Sequence, residues 1–169
     1  MSIIKIPKLI IELVGEDSTP YRKDPTDSCW DLRARKIEVV REGLICVHLG
    51  IKVQPPPGYD VRLYPRSSLS KTGWVLGNSL GIIDQKYRDE MLAYFVCVPK
   101  GIQTLEGYNK ELVTTVVEGV SLAATPFPYS LGDRVIQMEM RKKLDYDIVI
   151  DQVDMTDNRG GGFGSTGMK

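Results

Sequence analysis

The chain carries no excess of either charge, because 22 Lys and Arg offset 22 Asp and Glu. No global field draws it to nucleic acid or to an anionic membrane, so neither partner is expected and phosphate binding has to be local. Histidine is nearly missing: His48 stands alone, on the polar-leaning face of a strand-like run with no ligand pattern around it, and is given no role. The three cysteines, Cys29, Cys46 and Cys97, are odd in number and widely spaced, with no C-x-x-C pair. Such usage argues against a disulfide framework or metal positions and fits reduced, buried thiols in a cytoplasmic protein. No apolar run approaches the roughly 20 residues that span a bilayer. Residues 1–14 are apolar but interrupted by Lys5, Pro7, Lys8 and Glu12, which reads as a first strand and not as a signal peptide. P-loop, dinucleotide fingerprint, H-E-x-x-H and nucleophile elbow are all absent.

What the chain does have is period-two alternation. Leu9, Ile11 and Leu13 form one set, Ile45 through Val53 a second, and Tyr59, Val61 and Leu63 a third. Met91–Val98 is almost entirely apolar; Ile136, Met138 and Met140 alternate, as do Tyr146, Ile148 and Ile150. Turn signals at 41–43, 55–58 and 131–133 separate these runs. Nothing holds a helical period for three turns, and the best short helix is Ser67–Thr72, closed by Gly73. Many short strands with regular turns predict an all-β sandwich or closed barrel. One domain over residues 1–157 accounts for the length, followed by a Gly-rich arm over 158–169. Pro99–Tyr129 is long for a connection, since most run about 4–6 residues. Its strand-like run Leu112–Val117 points to an extra hairpin.

Three stretches could carry chemistry. Pro65-Arg66-Ser67-Ser68-Leu69 offers a guanidinium fork, two hydroxyls and backbone N–H groups to an anion, or else an ordinary corner cap. Asn78-Ser-Leu-Gly-Ile-Ile-Asp84-Gln-Lys-Tyr87 puts an amide, a carboxylate and a ring inside ten residues. Asp84 follows two apolar β-branched residues that would pin its backbone, as a general base requires; a plain turn Asp is the alternative. The tail, with Arg159, Phe163, Gly164, Ser165 and Thr166, reads either as a functionless terminus or as a lid over a phosphate.

The order of these stretches is more telling than any one of them. Ser28-Cys29-Trp30-Asp31-Leu32, Pro65–Leu69, Asn78…Gly81-Ile82-Ile83-Asp84…Tyr87-Arg88…Glu90, Gly132-Asp133-Arg134-Val135-Ile136-Gln137 and Gly161–Gly167 follow one another. In this the chain resembles the trimeric dUTP pyrophosphatases (dUTPases), whose five motifs occur in that order.

The resemblance implies a jelly-roll-like β fold, a homotrimer with shared sites, and Mg²⁺-dependent hydrolysis of dUTP to dUMP and pyrophosphate. It implies that Asp84 activates the attacking water and that Asn78 and the hairpin backbone around Gly81, Ile83 and Met91 meet the uracil. Tyr87 would lie under the deoxyribose. Arg66, Ser67, Ser68 and Gln137 would hold phosphates, with Asp31 near the metal through water. Arg159, Phe163, Gly164, Ser165 and Thr166 would close over the substrate. Departures from the family pattern are Cys29 and Trp30 in the first motif, Ser68 for Gly, Asp89 for Gly and Ile136 for Ala. The 99–129 insertion resembles enlargements of phage-type members, with a partner protein as one reading and a decorative hairpin as the other. A related fold performs dCTP deamination, the nearest rival activity.

Overall fold

The structure is a computed structural model that describes residues 6–98 and 125–153. Among the described residues ten strands run in chain order: β1 Ile10–Leu13, β2 Trp30–Arg33, β3 Lys36–Arg41, β4 Leu44–His48, β5 Ile51–Gln54, β6 Tyr59–Pro65, β7 Trp74–Leu76, β8 Gly81–Ile83, β9 Leu92–Cys97 and β10 Arg134–Lys142. A 3-10 helix, Ser67–Lys71, joins β6 to β7. The strands form two four-stranded antiparallel sheets, ordered β2-β10-β6-β8 and β3-β4-β9-β7, and a two-stranded ribbon β1-β5. This is the jelly-roll-like all-β architecture. No described helix is long and apolar enough to cross a membrane.

Alternation decides which side chains meet between the sheets. Val61, Leu63, Ile136 and Met138 from one sheet, and Ile45, Val47, Ala93 and Phe95 from the other, belong to one buried cluster with Ile51 and Val53 of β5. A register shift in the β10–β2 pairing between Arg134 and Ile136 allows Val135 and Ile136 to be buried consecutively, as a bulge does. The 3-10 helix ends as its sequence suggests. Thr72 donates from both N–H and Oγ1 to the carbonyl of Leu69, and Gly73 adopts φ +76°, where a side chain would be strained.

Two expectations about strands are corrected. The run 44–53 is not one strand: Gly50 takes φ +68°, and β4 and β5 on either side of it join different sheets. A Cβ at Gly50 would lie 2.3 Å from Ser18 Oγ and 2.4 Å from Arg35 Cγ, so only glycine fits this corner. The run at 146–150 keeps its alternation but forms no strand among the described residues, and Ile150 is 98% exposed. Of the cysteines, all free, only Cys46 is fully buried; Cys29 and Cys97 are half-buried.

Residues 99–124 lie outside the described set, as does the hairpin predicted around Leu112–Val117, but both flanks are fixed. Val98 donates its N–H to the carbonyl of Gly73 at 2.8 Å. The Trp74 indole N–H donates to the carbonyls of Thr125 and Pro126 at 3.0 and 3.1 Å. Phe127 then packs edge-on against Trp74, at 5.1 Å between ring centroids, and against Tyr129 at 5.6 Å, arrangements that add to plain burial.

Candidate active site

The first group of residues centres on Asp31. It lies on β2, in register with Gln137 of β10, and β10 in turn pairs Gln137 with Tyr64 and Ile136 with Pro65 at the end of β6. Arg66, the next residue, therefore emerges beside Asp31. Its Nε donates to Asp31 Oδ1 at 3.0 Å, and its Nη1 donates to the backbone carbonyl of Arg134 at 2.8 Å. Arg134 Nη1 donates to the other Asp31 oxygen, also at 3.0 Å. The Arg134 guanidinium stacks over the ring of Tyr21 at 5.0 Å, while Tyr21 and Asp31 exchange backbone hydrogen bonds of 2.9 and 2.7 Å.

Asp31 thus holds two guanidiniums in place, and charge-assisted bonds of this kind are about twice as strong as neutral ones. Arg66 keeps its Nη2 edge for another acceptor, because a guanidinium has five N–H donors. A small cleft of about 260 Å³ is lined by Asp31, Gln137, Arg22 and Lys23. A larger one, about 480 Å³, is lined by Arg66, Ser67, Trp74 and Ser79. Ser67 and Ser68 are exposed on the 3-10 helix.

The second group is the hairpin after β7. Ser79 takes φ +59° and donates its N–H to Leu76 at 3.0 Å, which turns the chain at the exposed Asn78. Gly81 is buried against β6, opposite Leu63, and a Cβ there would sit 3.0 Å from the Leu63 Cβ. Glycine lets β8 approach closely enough to pair. Ile83 is half-buried opposite Val61, so the backbone leading to Asp84 is fixed. Asp84 itself is exposed and accepts no side-chain hydrogen bond from the described residues. Its carbonyl accepts the Tyr87 N–H at 3.0 Å, closing the turn. The Tyr87 hydroxyl donates to the Glu90 carbonyl at 3.0 Å, and burial, aided by Asp89 and Glu90, pushes its pKa up. The phenol stays neutral, presenting a ring face.

A sequence profile of the dUTPase family matches residues 16–103. The deoxyuridine 5'-triphosphate nucleotidohydrolase of a Hydrogenobaculum species is 30% identical over 167 residues, covering 96% of this chain and 99% of that one. The chain belongs to the dUTPase family. The Finegoldia magna protein of the same name is 29% identical, covering 93% and 98% of the two chains. Among solved structures, a mutant of the Staphylococcus bacteriophage 80alpha dUTPase with dUpNHpp superposes with a TM-score of 0.65 at 18% identity, covering 95% of this chain and 99% of that one. The fold is therefore that of the phage-type dUTPases.

Within this dUTPase fold, Asp31, Arg66 and Gln137 come together in one cluster, and Asn78, Gly81, Ile83, Asp84 and Tyr87 on one hairpin. No hydrogen bond joins the two groups among the described residues. Met91 is placed elsewhere. It is fully buried, and its N–H and carbonyl are bonded to Ile51 and Leu49, so it backs the hairpin from the core and its side chain does not reach the surface. Arg159, Phe163, Gly164, Ser165 and Thr166 lie outside the described residues.

Sequence reasoning overlooked several residues. Arg134 sits inside a recognised motif but received no role, and Tyr21 carries no local signal at all. His48, which has no ligand pattern around it in the sequence, has two partners in the structure: its Nδ1 is 2.9 Å from Glu90 and its Nε2 3.3 Å from Glu38. Glu38 lies one hairpin away and Glu90 far along the chain, so no sequence window contains all three.

Proposed function

We propose that this dUTPase-family chain hydrolyses dUTP to dUMP and pyrophosphate, keeping uracil out of DNA and supplying dUMP for dTMP synthesis. The observation that carries this is the Asp84 carboxylate: exposed to incoming reactants on a backbone fixed by Gly81 and Ile83, with the Tyr87 ring three residues on. In this reading Asp84 accepts a proton from water. The water oxygen bonds to the α-phosphorus as the bond to the bridging oxygen breaks and pyrophosphate leaves. Asn78 and the turn backbone meet the uracil edge, and Tyr87 packs where a 2′-hydroxyl would sit, rejecting ribonucleotides. Arg66 Nη2, Ser67, Ser68 and Gln137 bind phosphate oxygens.

Mg²⁺ is the implied cofactor, and Asp31 is the carboxylate placed to meet it. Both Asp31 oxygens already accept from arginines, which suits a contact through water better than a direct bond. Magnesium ordinarily keeps several waters and takes substrate phosphate oxygens. When bound, it supplies charge neutralisation on the triphosphate. Residues 158–169 are proposed as a lid, with Arg159, Phe163, Gly164, Ser165 and Thr166 covering base and phosphates, and residues 1–157 as the domain beneath. Truncation after Asp157 should cut turnover while leaving the melting temperature in place; full activity in a folded truncate would remove the lid.

A homotrimer with shared sites is part of this reading. It is supported by the separation of the two residue groups and by the apolar, alternating, fully exposed run from Leu144 to Val153. It is supported also by a cavity of about 540 Å³ lined by Ile6, Leu9, Ile11, Trp30, Met138 and Met140. Truncation after Lys143 should abolish the trimer in sedimentation. A cytoplasmic location follows from the reaction proposed.

The deciding assay is pyrophosphate release from dUTP against dTTP, dCTP and UTP, with and without Mg²⁺. Selective release from dUTP supports the reading. Ammonia from dCTP, without pyrophosphate, would replace it with deamination. A second reading rests on 99–129: the 80alpha phage dUTPase controls transfer of virulence genes, and a partner protein docking on the insertion would give this chain a regulatory role. Deleting residues 101–125 should then spare hydrolysis and abolish partner capture.

A further inference from the structure

The face of the β3-β4-β9-β7 sheet that carries His48 gathers three kinds of metal-binding atom. Glu38 on β3 lies directly opposite Cys46 on β4. His48 lies two residues further along β4, and alternation puts it on the same face as Cys46. The Cys46 Sγ, a His48 ring nitrogen and a Glu38 carboxylate oxygen all lie within 4.8 Å of one another. His48 Nε2 is 3.3 Å from Glu38 Oε2. Two ligands about 2.0–2.1 Å from a tetrahedral zinc ion are separated by about 3.3 Å, and a thiolate reaches about 2.3 Å to the metal.

The imidazole is also held as a ligand would need to be. Glu90 Oε2 sits 2.9 Å from His48 Nδ1, while its other oxygen accepts the Gly50 N–H at 2.9 Å. Glu90 is thus fixed at both oxygens. The ring is oriented with Nδ1 taken and Nε2 turned toward Glu38, the carboxylate–histidine arrangement that supports metal-bound imidazoles. Cys46 is buried, whereas the His48 side chain keeps 22% exposure, leaving a direction for water as a fourth ligand. Lys36 pairs with the remaining Glu38 oxygen, and Tyr94, opposite Cys46 on β9, shares a side-chain hydrogen bond with the thiol; these are the resident competitors.

We propose that Glu38, Cys46 and His48 form a site for a divalent cation of the zinc class, with Glu90 as the positioning residue. The donor set of one sulfur, one imidazole and one carboxylate selects this class. Magnesium, which takes oxygen ligands in octahedral geometry, does not fit it. The three ligands lie outside the Asp31 and Asp84 groups, although the Glu90 carbonyl accepts the Tyr87 hydroxyl of the Asp84 hairpin, and the proposal does not depend on the reading of their function. On binding, the Cys46 thiol proton and any proton on His48 Nε2 leave to solvent, and no redox step is involved.

The test uses the full chain, stripped with a chelator and titrated with zinc chloride or cobalt chloride. His48 is the chain's one histidine, so histidine-labelled protein reports a single imidazole by NMR without any substitution. One equivalent of zinc should move the Nε2 resonance to a metal-bound position in slow exchange. One equivalent of cobalt should give a thiolate-to-metal charge-transfer band. That band should survive Cys29→Ser/Cys97→Ser and vanish in Cys46→Ser, and Glu90→Gln should weaken zinc binding about 10–100-fold. An imidazole spectrum unmoved at two equivalents overturns the proposal, leaving Glu38, His48 and Glu90 a hydrogen-bonded network only. A band that persists in Cys46→Ser, or disappears in the Cys29/Cys97 variant, overturns it equally.

Discussion

Two aspartates of one small β-sandwich have opposite surroundings. Asp31 is pinned: each oxygen accepts from an arginine, and its side chain is 13% exposed. Asp84 is presented: its backbone is fixed by β8, but its carboxylate points into solvent on a turn. The pinned group costs most when removed, because two guanidiniums lose their counter-charge. The presented group contributes little to the fold and is open to whatever arrives. In the proposed function, a site that draws on both kinds separates holding from reacting.

The sharpest way to break this contrast is to neutralise each carboxylate in turn. Asp84→Asn should slow turnover of dUTP about 10²–10⁴-fold, the range of a lost general base, with substrate binding and melting temperature close to the parent values. Near-normal turnover would take Asp84 out of the role. Asp31→Asn should show both effects: a loss of about 1–3 kcal/mol in chemical denaturation, from the weakened, partly buried Arg66 and Arg134 contacts, and a rise in KM. An Asp31 variant of parental stability would mean that the arginines do not need it.

Gly81→Ala probes the join between the two settings. The new methyl would press on Leu63 at 3.0 Å; about 1–2 kcal/mol of destabilisation is expected from such overpacking. Activity should fall further than stability explains, since β8 aims Asp84. The smallest effect belongs to His48, where two carboxylates converge on an imidazole. The hydrogen bond from Glu90, with help from Glu38, raises the His48 pKa above its ordinary 6.5. Cys46, Lys36 and Tyr94 are the other titrating groups on that face. A raised folded-state pKa contributes stability that is complete below the unfolded value and disappears as pH climbs through the folded one. In chelator, the melting-temperature gap between the parent and His48→Gln should therefore be widest below about pH 6.5 and narrow above it. A gap that widens with rising pH would reverse the assignment.

How far the sequence was legible follows from the same physics. Alternation marks β6 and β10, the continuous apolar run 91–98 marks β9, and Gly73 marks the end of the 3-10 helix, because these signals are local. Alternation says which side chains share a face but not what covers it, and so 146–150 looked like β10 while having no described partner. The break at Gly50 was hidden for a related reason. What makes it a corner is the approach of Ser18 and Arg35 and the Glu90 carboxylate on its N–H, all distant in sequence. At the candidate site, the ordered motifs point to Asp31, Arg66, Asp84 and Tyr87, which remain proposals. Met91 shared the motif but faces the core, and Arg134 and Tyr21 became visible only when β2 and β10 lay side by side.

The Trp74 indole, bonded to the carbonyls of Thr125 and Pro126, and the Val98 N–H on Gly73 have a consequence for how this chain can change over evolutionary time. Together they clamp both stumps of the 99–124 segment to the same end of β7. With its ends fastened, the domain is largely indifferent to how much chain is spliced between them, since each doubling of a loop costs only about 0.6 kcal/mol of closure entropy. The clamp works as a socket: sequence there can be lengthened, shortened or exchanged, and new binding specificities tried, while the strands that aim Asp84 and the arginines around Asp31 stay as they are.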